Sequence, residues 1–283
     1  MIYLLLNIVF GSLFVLSIKW VQNRKQEDIV TIGMINYIAG ALVILPEFIQ
    51  SHPSMVTASA LGTGGTMGAC YFVAFFFVVY AIRYVGVASA SVVGSLSILC
   101  PILIGVLVWN ESPNFYQVLG IGMALLSLSL IGGSTDSQRP VVRAWLVPAM
   151  LIAFFILAGV SRLSQEAFRH ICHAEERSVF LFTAFSVAAI PSMVALLIRW
   201  KRIRWQEWSI GIMLGTVNVL QSHFILKALK EFPGYIVFPV VSAGGLVFTT
   251  LFAISFLRER LTFRAYIGIG LATVALLLLN WDL

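Results

Sequence analysis

Apolar stretches about as long as a membrane is thick fill most of this chain, and they restrict its fold more than any other feature. A helix needs about 20 predominantly apolar residues to cross the hydrocarbon core of a bilayer. Ten stretches meet this condition, and none shows a two-residue alternation of apolar and polar positions. The sequence therefore predicts an all-α membrane protein with ten transmembrane helices. The stretches cover residues 2–21, 30–50, 58–82, 87–109, 115–132, 144–163, 178–200, 208–228, 235–257 and 264–281.

The low charge content supports the same interpretation. Only 11% of the residues are charged and 60% are hydrophobic, whereas a soluble domain averages about 25% charged residues. So few charges do not cover the surface of a soluble fold of 283 residues. These values exclude an ordinary soluble enzyme and a disordered chain, and three scattered cysteines exclude a disulfide-rich scaffold.

Membrane topology, rather than nucleic acid, explains the net charge of +6. The sequence has no basic stripe with interleaved aromatic residues, so we expect no nucleic-acid partner. Most lysines and arginines fall on one side of a ten-helix path, and such loops are usually cytoplasmic. The sequence thus predicts a multi-pass protein of the cell (inner) membrane, surrounded by the lipid bilayer, with both termini outside.

An internal repeat divides the chain at an offset of 148 residues. The matched positions include glycines and a carboxylate, which hydrophobic segments do not share by chance. We expect two repeats of five helices, at 1–133 and 144–283, joined by a loop at 134–143. The matched pairs are Gly11 with Gly159, Gly86 with Gly234, Glu111 with Glu259, Phe115 with Phe263, Gly120 with Gly268, Gly122 with Gly270 and Ala124 with Ala272.

Five is an odd number, so the second repeat enters the membrane with the opposite polarity to the first. Inverted repeats are typical of secondary transporters, in which the substrate binds near the membrane midplane between the two repeats. Exchanging the packings of the two halves converts an outward-open cavity into an inward-open one. The alternative is an ancient gene duplication without a present mechanism.

Several short motifs lie along both repeats. The first repeat has Phe10-Gly11-Ser12-Leu13-Phe14 followed by Lys19, then Ala88-Ser89-Ala90-Ser91, Ser95-Leu96-Ser97, Pro101, Glu111 and Gly120. The second repeat has Gly234, Pro239, Arg258-Glu259-Arg260-Leu261 and Gly268. This series resembles the EamA-type transporters of the drug/metabolite transporter superfamily. The resemblance implies ten helices, a central cavity and small organic solutes such as amino acids, sugars or amphipathic metabolites.

The eighth stretch carries the most pronounced polar stripe. Asn218, Gln221 and Ser222 are spaced to share one helical face. Because amides facing lipid would lack hydrogen-bond partners, this face is expected to contact protein or water. It would bind a solute or join helices to one another. His223 lies next to the stripe and is either a proton carrier or a hydrogen-bonded structural histidine.

Other polar residues within the stretches are also candidates for the cavity. Lys19 would attract an anionic group or extend to the interface. Tyr71 would line an aromatic cavity, where its hydroxyl needs a partner. Small polar residues on the fourth and ninth stretches would line the cavity or allow close helix packing. They are Ser91, Ser95 and Ser242.

The remaining ionisable groups are interpreted as structural. Glu111 and Glu259 follow equivalent helices, where they would cap the next helix or pair with an arginine. The segment from Glu166 to Glu176 contains histidine, cysteine and glutamate without a recognised ligand spacing, so we expect no metal there and an interfacial loop instead. We expect no cofactor, because no phosphate-binding loop is present.

These observations favour a secondary transporter of small organic solutes that works by alternating access. A proton-coupled multidrug or cation exporter is the alternative, but the first stretch has no carboxylate for that exchange. Proton coupling would then depend on Glu47 or His223, and counter-solute coupling stays open. A membrane-embedded enzyme would need a nucleophile with a base, or a metal cluster. Since the sequence shows neither, we do not expect an enzyme.

Overall fold

The computed structural model describes residues 1–23, 28–51, 56–85, 93–132, 146–199, 202–257 and 263–279. The prediction of an all-α membrane fold with two repeats is confirmed. By length and composition, five helices within these ranges can cross a membrane, and five shorter apolar helices occupy the remaining stretches. The helices are α1 (Ile2–Asn23), α2 (Ile29–Ile49), α3 (Ala58–Val85), α4 (Leu99–Val108), α5 (Phe115–Gly132), α6 (Leu146–Ile171), α7 (Arg177–Arg199), α8 (Trp205–Glu231), α9 (Gly234–Leu257) and α10 (Phe263–Leu279).

The sixth helix extends past its predicted end at residue 163 and continues to Ile171. A short 3₁₀ turn, Ala174–Glu176, then leads into α7. The predicted interfacial loop is therefore the last part of a helix followed by a turn. Its polar residues were expected to face the interface, but Glu166 is fully buried and Glu176 is 3% exposed. Partners inside the protein thus replace the water that these side chains would otherwise need.

Two features shape the fourth span. A turn at Ser97 and Ile98 interrupts the helix before Pro101, which lacks the N–H needed to continue the ladder. At the other end, Asn110 has a positive φ of 53°. The Glu111 N–H donates to the Gly105 carbonyl over 3.0 Å, which caps the last turn of α4. The cap aims the side chain of Glu111 back toward its own helix.

Contacts at both ends of α2 and α7 show that these equivalent helices are antiparallel. Asp28 pairs with Arg199 at one end, and Glu47 pairs with Arg177 at the other. We call the end that contains Met1, Glu47 and Arg177 the near end, and the end that contains Asp28 and Arg199 the far end. The near end also contains Glu231, because the amino terminus lies 3.6 Å from its carboxylate.

The other equivalent helices also run in opposite directions. Helices α5 and α10 contact each other directly and are antiparallel, because Gly120 packs against Ala275 and the end of α10. Helix α4 is parallel to α6, whereas α9 is antiparallel to α6. Helix α3 is parallel to α7, and α8 is parallel to α2. Helix α1 is antiparallel to α8, and α6 is antiparallel to α3.

Glycines allow the two repeats to pack closely at two crossings. A Cβ at Gly68 of α3 would lie 2.2 Å from the carbonyl oxygen of Ala184 in α7. A Cβ at Gly215 of α8 would lie 2.6 Å from the carbonyl oxygen of Asn36 in α2. Small residues allow such backbone approach between membrane helices. These two crossings enclose the middle of the bundle, where the cavity lies.

Candidate functional site: the central cavity

A cavity of about 360 Å³ lies between the two halves of the chain. Its lining comes from α1, α2, α3, α6, α8 and α9 and from the turn of helix before α4. Ligand sites are commonly concave and mostly apolar, with a few converging polar groups. The apolar wall comprises Phe14, Ile18, Phe75, Val78, Val79 and Phe154, and the polar part comprises Ser161, Arg162, Gln165, Asn218, Gln221 and Ser222.

Apolar side chains dominate the far part of the cavity, whereas its polar groups lie with Ile225 and Phe238 in the middle and near part. Ile18 and Val79 lie toward the far end, because α1 and α3 both end there. Gln165 lies nearer the near end, because α6 ends on that side. A solute with one polar and one apolar end would therefore have a defined orientation in this cavity.

Helix α8 presents its polar stripe to the cavity. Asn218 donates to the Oδ1 atom of Asn36 over 3.3 Å, which fixes its amide against α2. The backbone carbonyl of Gln221 accepts a bond of 2.7 Å from Asn7. Ser222 is 1% exposed, and its hydroxyl lies beside that of Tyr71 at the cavity. Such a buried hydroxyl can bond to a molecule in the cavity.

Two tyrosines support the floor of the cavity. The hydroxyl of Tyr37 donates to the backbone carbonyl of Tyr71 over 2.8 Å. The hydroxyl of Tyr71 lies 3.5 Å from the Nε2 atom of Gln165 and beside Ser161. These contacts hold the Tyr71 ring between α2, α3 and α6, with its hydroxyl directed toward the polar part of the cavity.

Among the described residues that line the cavity, Arg162 alone carries a charge. Its Nη1 donates to the Oγ of Ser242 on α9 over 3.1 Å. The side chain is only partly exposed, and it lies deep in the protein, where its free surface faces the cavity. Among the described residues, no carboxylate lies within ion-pair distance of it; the nearby ion pairs are formed by Arg169 and His170.

The structure brings together most of the predicted cavity residues that it describes. Tyr71, Ser95, Asn218, Gln221 and Ser222 line the cavity. Ser242 is not a lining residue, but its hydroxyl accepts a hydrogen bond from the lining residue Arg162.

His223 and three other candidates lie elsewhere or outside the described part. His223 is not among the lining residues, and its Nδ1 lies 3.9 Å from Glu47. The side chain of Lys19 and the whole of Ser91 and Glu259 lie outside the described residues.

Sequence reasoning missed Arg162, Gln165 and Glu166. Arg162 was counted with the charges at the membrane edge, because the sixth stretch was ended one residue after it. The usable signal was the apolar character of the flanking residues, Val160 on one side and Leu163 and Phe168 on the other. An arginine and a glutamate within one continuous helical stretch indicate a functional site.

An ion-pair cluster closes the near side of the cavity. Arg169 donates to Glu166 over 2.7 Å and also to Glu111, so one guanidinium bridges two carboxylates. The His170 Nε2 atom lies 3.2 Å from Glu166, and its ring stacks on Trp109 at 4.4 Å. The Glu166 carboxylate also lies against the first turn of α9. The cluster therefore joins the end of α4, α6 and the start of α9.

Glu111, Glu166 and His170 also have the ligand types of a cation site, with their ligand atoms within 4.8 Å of one another. Arg169 already donates to both carboxylates. The guanidinium thus supplies the positive charge that a metal ion would bring. The donor set fits an ion-pair network better than a metal centre.

Comparisons with known proteins agree with this architecture. The sequence model of the EamA-like transporter family matches residues 1–133 and 144–281. An uncharacterised protein of Haemophilus influenzae is 24% identical over 196 residues, which cover 67% of this chain and 65% of that protein. The chain thus spans just under two thirds of that relative. One crystal structure of 14% identity aligns with 99% of this chain and 96% of its own, with a TM-score of 0.73; it shows the same fold.

Proposed function

Because the chain belongs to the EamA-like transporter family, we propose that it is a secondary transporter that moves small organic solutes by alternating access. The observation that carries the proposal is the cavity of about 360 Å³ between the two halves, with its polar floor and apolar wall. Amino acids, sugars and amphipathic metabolites are the solutes considered, and the cell (inner) membrane is the proposed location.

The opposite directions of the equivalent helices support alternating access. Inverted halves can exchange their packings, and this exchange moves the opening of a fixed site from one side of the membrane to the other. In this proposal, the near end is the closed side. The cluster of Glu111, Glu166 and Arg169 would have to separate for the cavity to open there, since it joins α4, α6 and α9.

Transport is tested by reconstituting the full chain into liposomes and measuring uptake of labelled amino acids, sugars and organic ions. Ala158→Trp fills the cavity, because Ala158 is a lining residue. Ile156→Trp is the matched control, because Ile156 is 51% exposed on the outer face of the same helix. We expect A158W to abolish uptake and I156W to retain it. Equal uptake by both variants, or no uptake above that of empty liposomes, would contradict the proposal.

Proton coupling is a second element of the proposal, and the ion-pair cluster favours it. Two carboxylates share one arginine, so a proton on one of them would balance the charge. The other groups that face the pair are His170 on α6 and Tyr235 on α9. We expect an inwardly directed proton gradient to stimulate uptake into wild-type liposomes but not into Glu166→Gln liposomes. Stimulation that survives E166Q would remove the cluster from the coupling.

A further inference from the structure

The charge balance of the cavity restricts what it can bind. Arg162 presents five N–H donors in a planar fork, and Ser242 accepts one bond from it. The ion pairs of the described residues use Arg169, Arg177, Arg199 and Arg204 instead. A cation buried without a counter-charge is unfavourable, and an anion that enters the cavity would supply that charge.

The other polar lining groups are neutral. They are hydroxyls and amides, including the buried hydroxyl of Ser222. No aspartate or glutamate is among the described lining residues. An ammonium group would therefore have no carboxylate of the lining to pair with, whether it belongs to a cation or to a zwitterion whose carboxylate pairs with Arg162. The lining thus favours a net anion over a cation or a free amino acid.

The geometry of the donors points to a carboxylate. A guanidinium binds a carboxylate through two parallel hydrogen bonds, and the hydroxyls of Ser222 and Tyr71 lie on the same polar floor. The far part of the cavity is lined by Phe14, Phe75 and Phe154. A volume of about 360 Å³ equals that of about twelve water molecules at about 30 Å³ each. A compact solute with an aromatic or branched apolar end would fill it.

We infer that the cavity binds a small, water-soluble monocarboxylate that has an apolar end and no free ammonium group, with Arg162 paired to the carboxylate. This inference rests on the proposed transport function for its physiological meaning, but the binding site stands on the contacts of the cavity alone. The apolar end of the solute lies toward the far end, and its carboxylate lies toward the near end.

Four matched compounds test the inference on the purified full chain by binding calorimetry and thermal shift. They are 3-phenylpropanoate, phenylalanine, 2-phenylethylamine and 3-phenylpropanol, which are an anion, a zwitterion, a cation and a neutral molecule of similar shape. We expect 3-phenylpropanoate to bind at least tenfold more tightly than the other three. Equal or tighter binding of the zwitterion, the cation or the alcohol would overturn the inference. Preferential binding of palmitate, a membrane-derived carboxylate, would also overturn it.

Variants of Arg162 test whether its guanidinium pairs with the bound carboxylate. Arg162→Met should weaken binding of 3-phenylpropanoate at least tenfold and leave the weak binding of 3-phenylpropanol unchanged. Arg162→Lys keeps the charge but not the fork, so it should retain part of the preference for the anion. If R162M does not fold, R162K and the wild-type compound series still decide the question. Unchanged anion binding in a folded R162M protein would exclude Arg162 as the partner, and unchanged binding in R162K would exclude pairing through the two-bond fork.

The binding and uptake measurements separate the two proposals. Anion binding that depends on Arg162, without uptake into liposomes, would keep the site and reject transport. Uptake of other solutes that A158W blocks, without preferential anion binding, would keep transport and reject the carboxylate site.

Discussion

Helices α1 and α6 occupy equivalent places in the two repeats, yet they give the cavity different chemistry. The offset of 148 that aligns Gly11 with Gly159 also aligns Phe14 with Arg162, and both of these residues line the cavity. Helix α1 contributes only apolar side chains to the lining, whereas α6 contributes Ser161 and Gln165 in addition to Arg162. The backbone arrangement is thus shared, and the side chains at the cavity have diverged.

This difference separates the requirements of movement from those of recognition. In the proposed alternating access, exchange of the two halves would depend on similar backbones that pack in two ways, so it would tolerate different side chains on α1 and α6. Recognition needs an asymmetric cavity, because a solute with one charged and one apolar end binds best in a single orientation. Arg162 on one wall and Phe14 on the other provide that asymmetry.

The largest expected effect comes from adding a side chain at one of two equivalent glycines, Gly11 in α1 and Gly159 in α6. A Cβ at Gly159 would lie 2.4 Å from the Sγ and 3.0 Å from the Cβ of Cys100. A Cβ at Gly11 would meet only the flexible end of Gln221, at 3.2 Å. Gly159→Val should lower the free energy of unfolding in detergent by about 1–3 kcal/mol, the usual cost of overpacking.

Gly11→Val is the matched control and should cost less than G159V. Adding Cys100→Ala to G159V should recover part of the loss, since it removes the Sγ that the new side chain contacts. Equal destabilisation by G11V and G159V would show that the two halves pack alike at this position.

Exchanging the two equivalent lining residues is expected to have the next largest effect. The double variant Phe14→Arg with Arg162→Phe keeps one arginine in the cavity but moves it away from Ser242. Hydrogen bonds to charged groups contribute about 1.5–3 kcal/mol each, so uptake or binding of 3-phenylpropanoate should fall at least tenfold. Binding that survives the exchange would show that a positive charge anywhere in the cavity suffices.

The apolar wall of α1 should affect selectivity by a smaller factor. Phe14→Ala removes an aromatic contact worth about 0.5–1.5 kcal/mol, so the Kd for 3-phenylpropanoate should rise about three- to tenfold. The Kd for propanoate, which lacks the ring, should not change. Leu13→Ala is the control, because Leu13 is 39% exposed and is not a lining residue. A parallel rise for both ligands in F14A would contradict an oriented solute.

The smallest expected effect concerns Gln165 and its equivalent in the first half, Ser17. Gln165→Leu removes an amide that lies 3.5 Å from the Tyr71 hydroxyl. One neutral hydrogen bond is worth about 1 kcal/mol net, so we expect anion binding to weaken about fivefold. Ser17→Ala should leave binding unchanged, because Ser17 is not a lining residue. A larger loss in S17A than in Q165L would reverse the assignment of the polar wall to α6.

The all-helical membrane fold and the two repeats could be predicted because apolar length and glycine spacing are local properties of the sequence. The polar face of α8 was also predictable, since Asn218, Gln221 and Ser222 have helical spacing. Their side-chain partners were not predictable, because Asn36 lies 182 positions away in the chain. The interpretation of Lys19 stays a prediction, as does that of Ser91.

The predicted end of α6, at residue 163, was wrong for a physical reason. Ser164, Gln165 and Glu166 were treated as the polar boundary of a span, but all three are buried. Their partners come from other helices or from the next turn: Glu166 meets Arg169, and Gln165 meets Tyr71. A polar segment satisfied by tertiary contacts has the same composition as a loop satisfied by water. Hydropathy alone does not distinguish these two cases.

The ties between α2 and α7 restrict how the two repeats can slide past each other. Asp28 pairs with Arg199 at the far end, and Glu47 pairs with Arg177 at the near end. Between these two ion pairs, the Phe185 ring packs against Gly40. An axial shift of one turn, about 5.4 Å, would break both pairs and displace the ring. Rolling about the shared line of contact leaves all three in place. In the proposed alternating access, this pair of helices is therefore suited to be the pivot for the movement of the other helices.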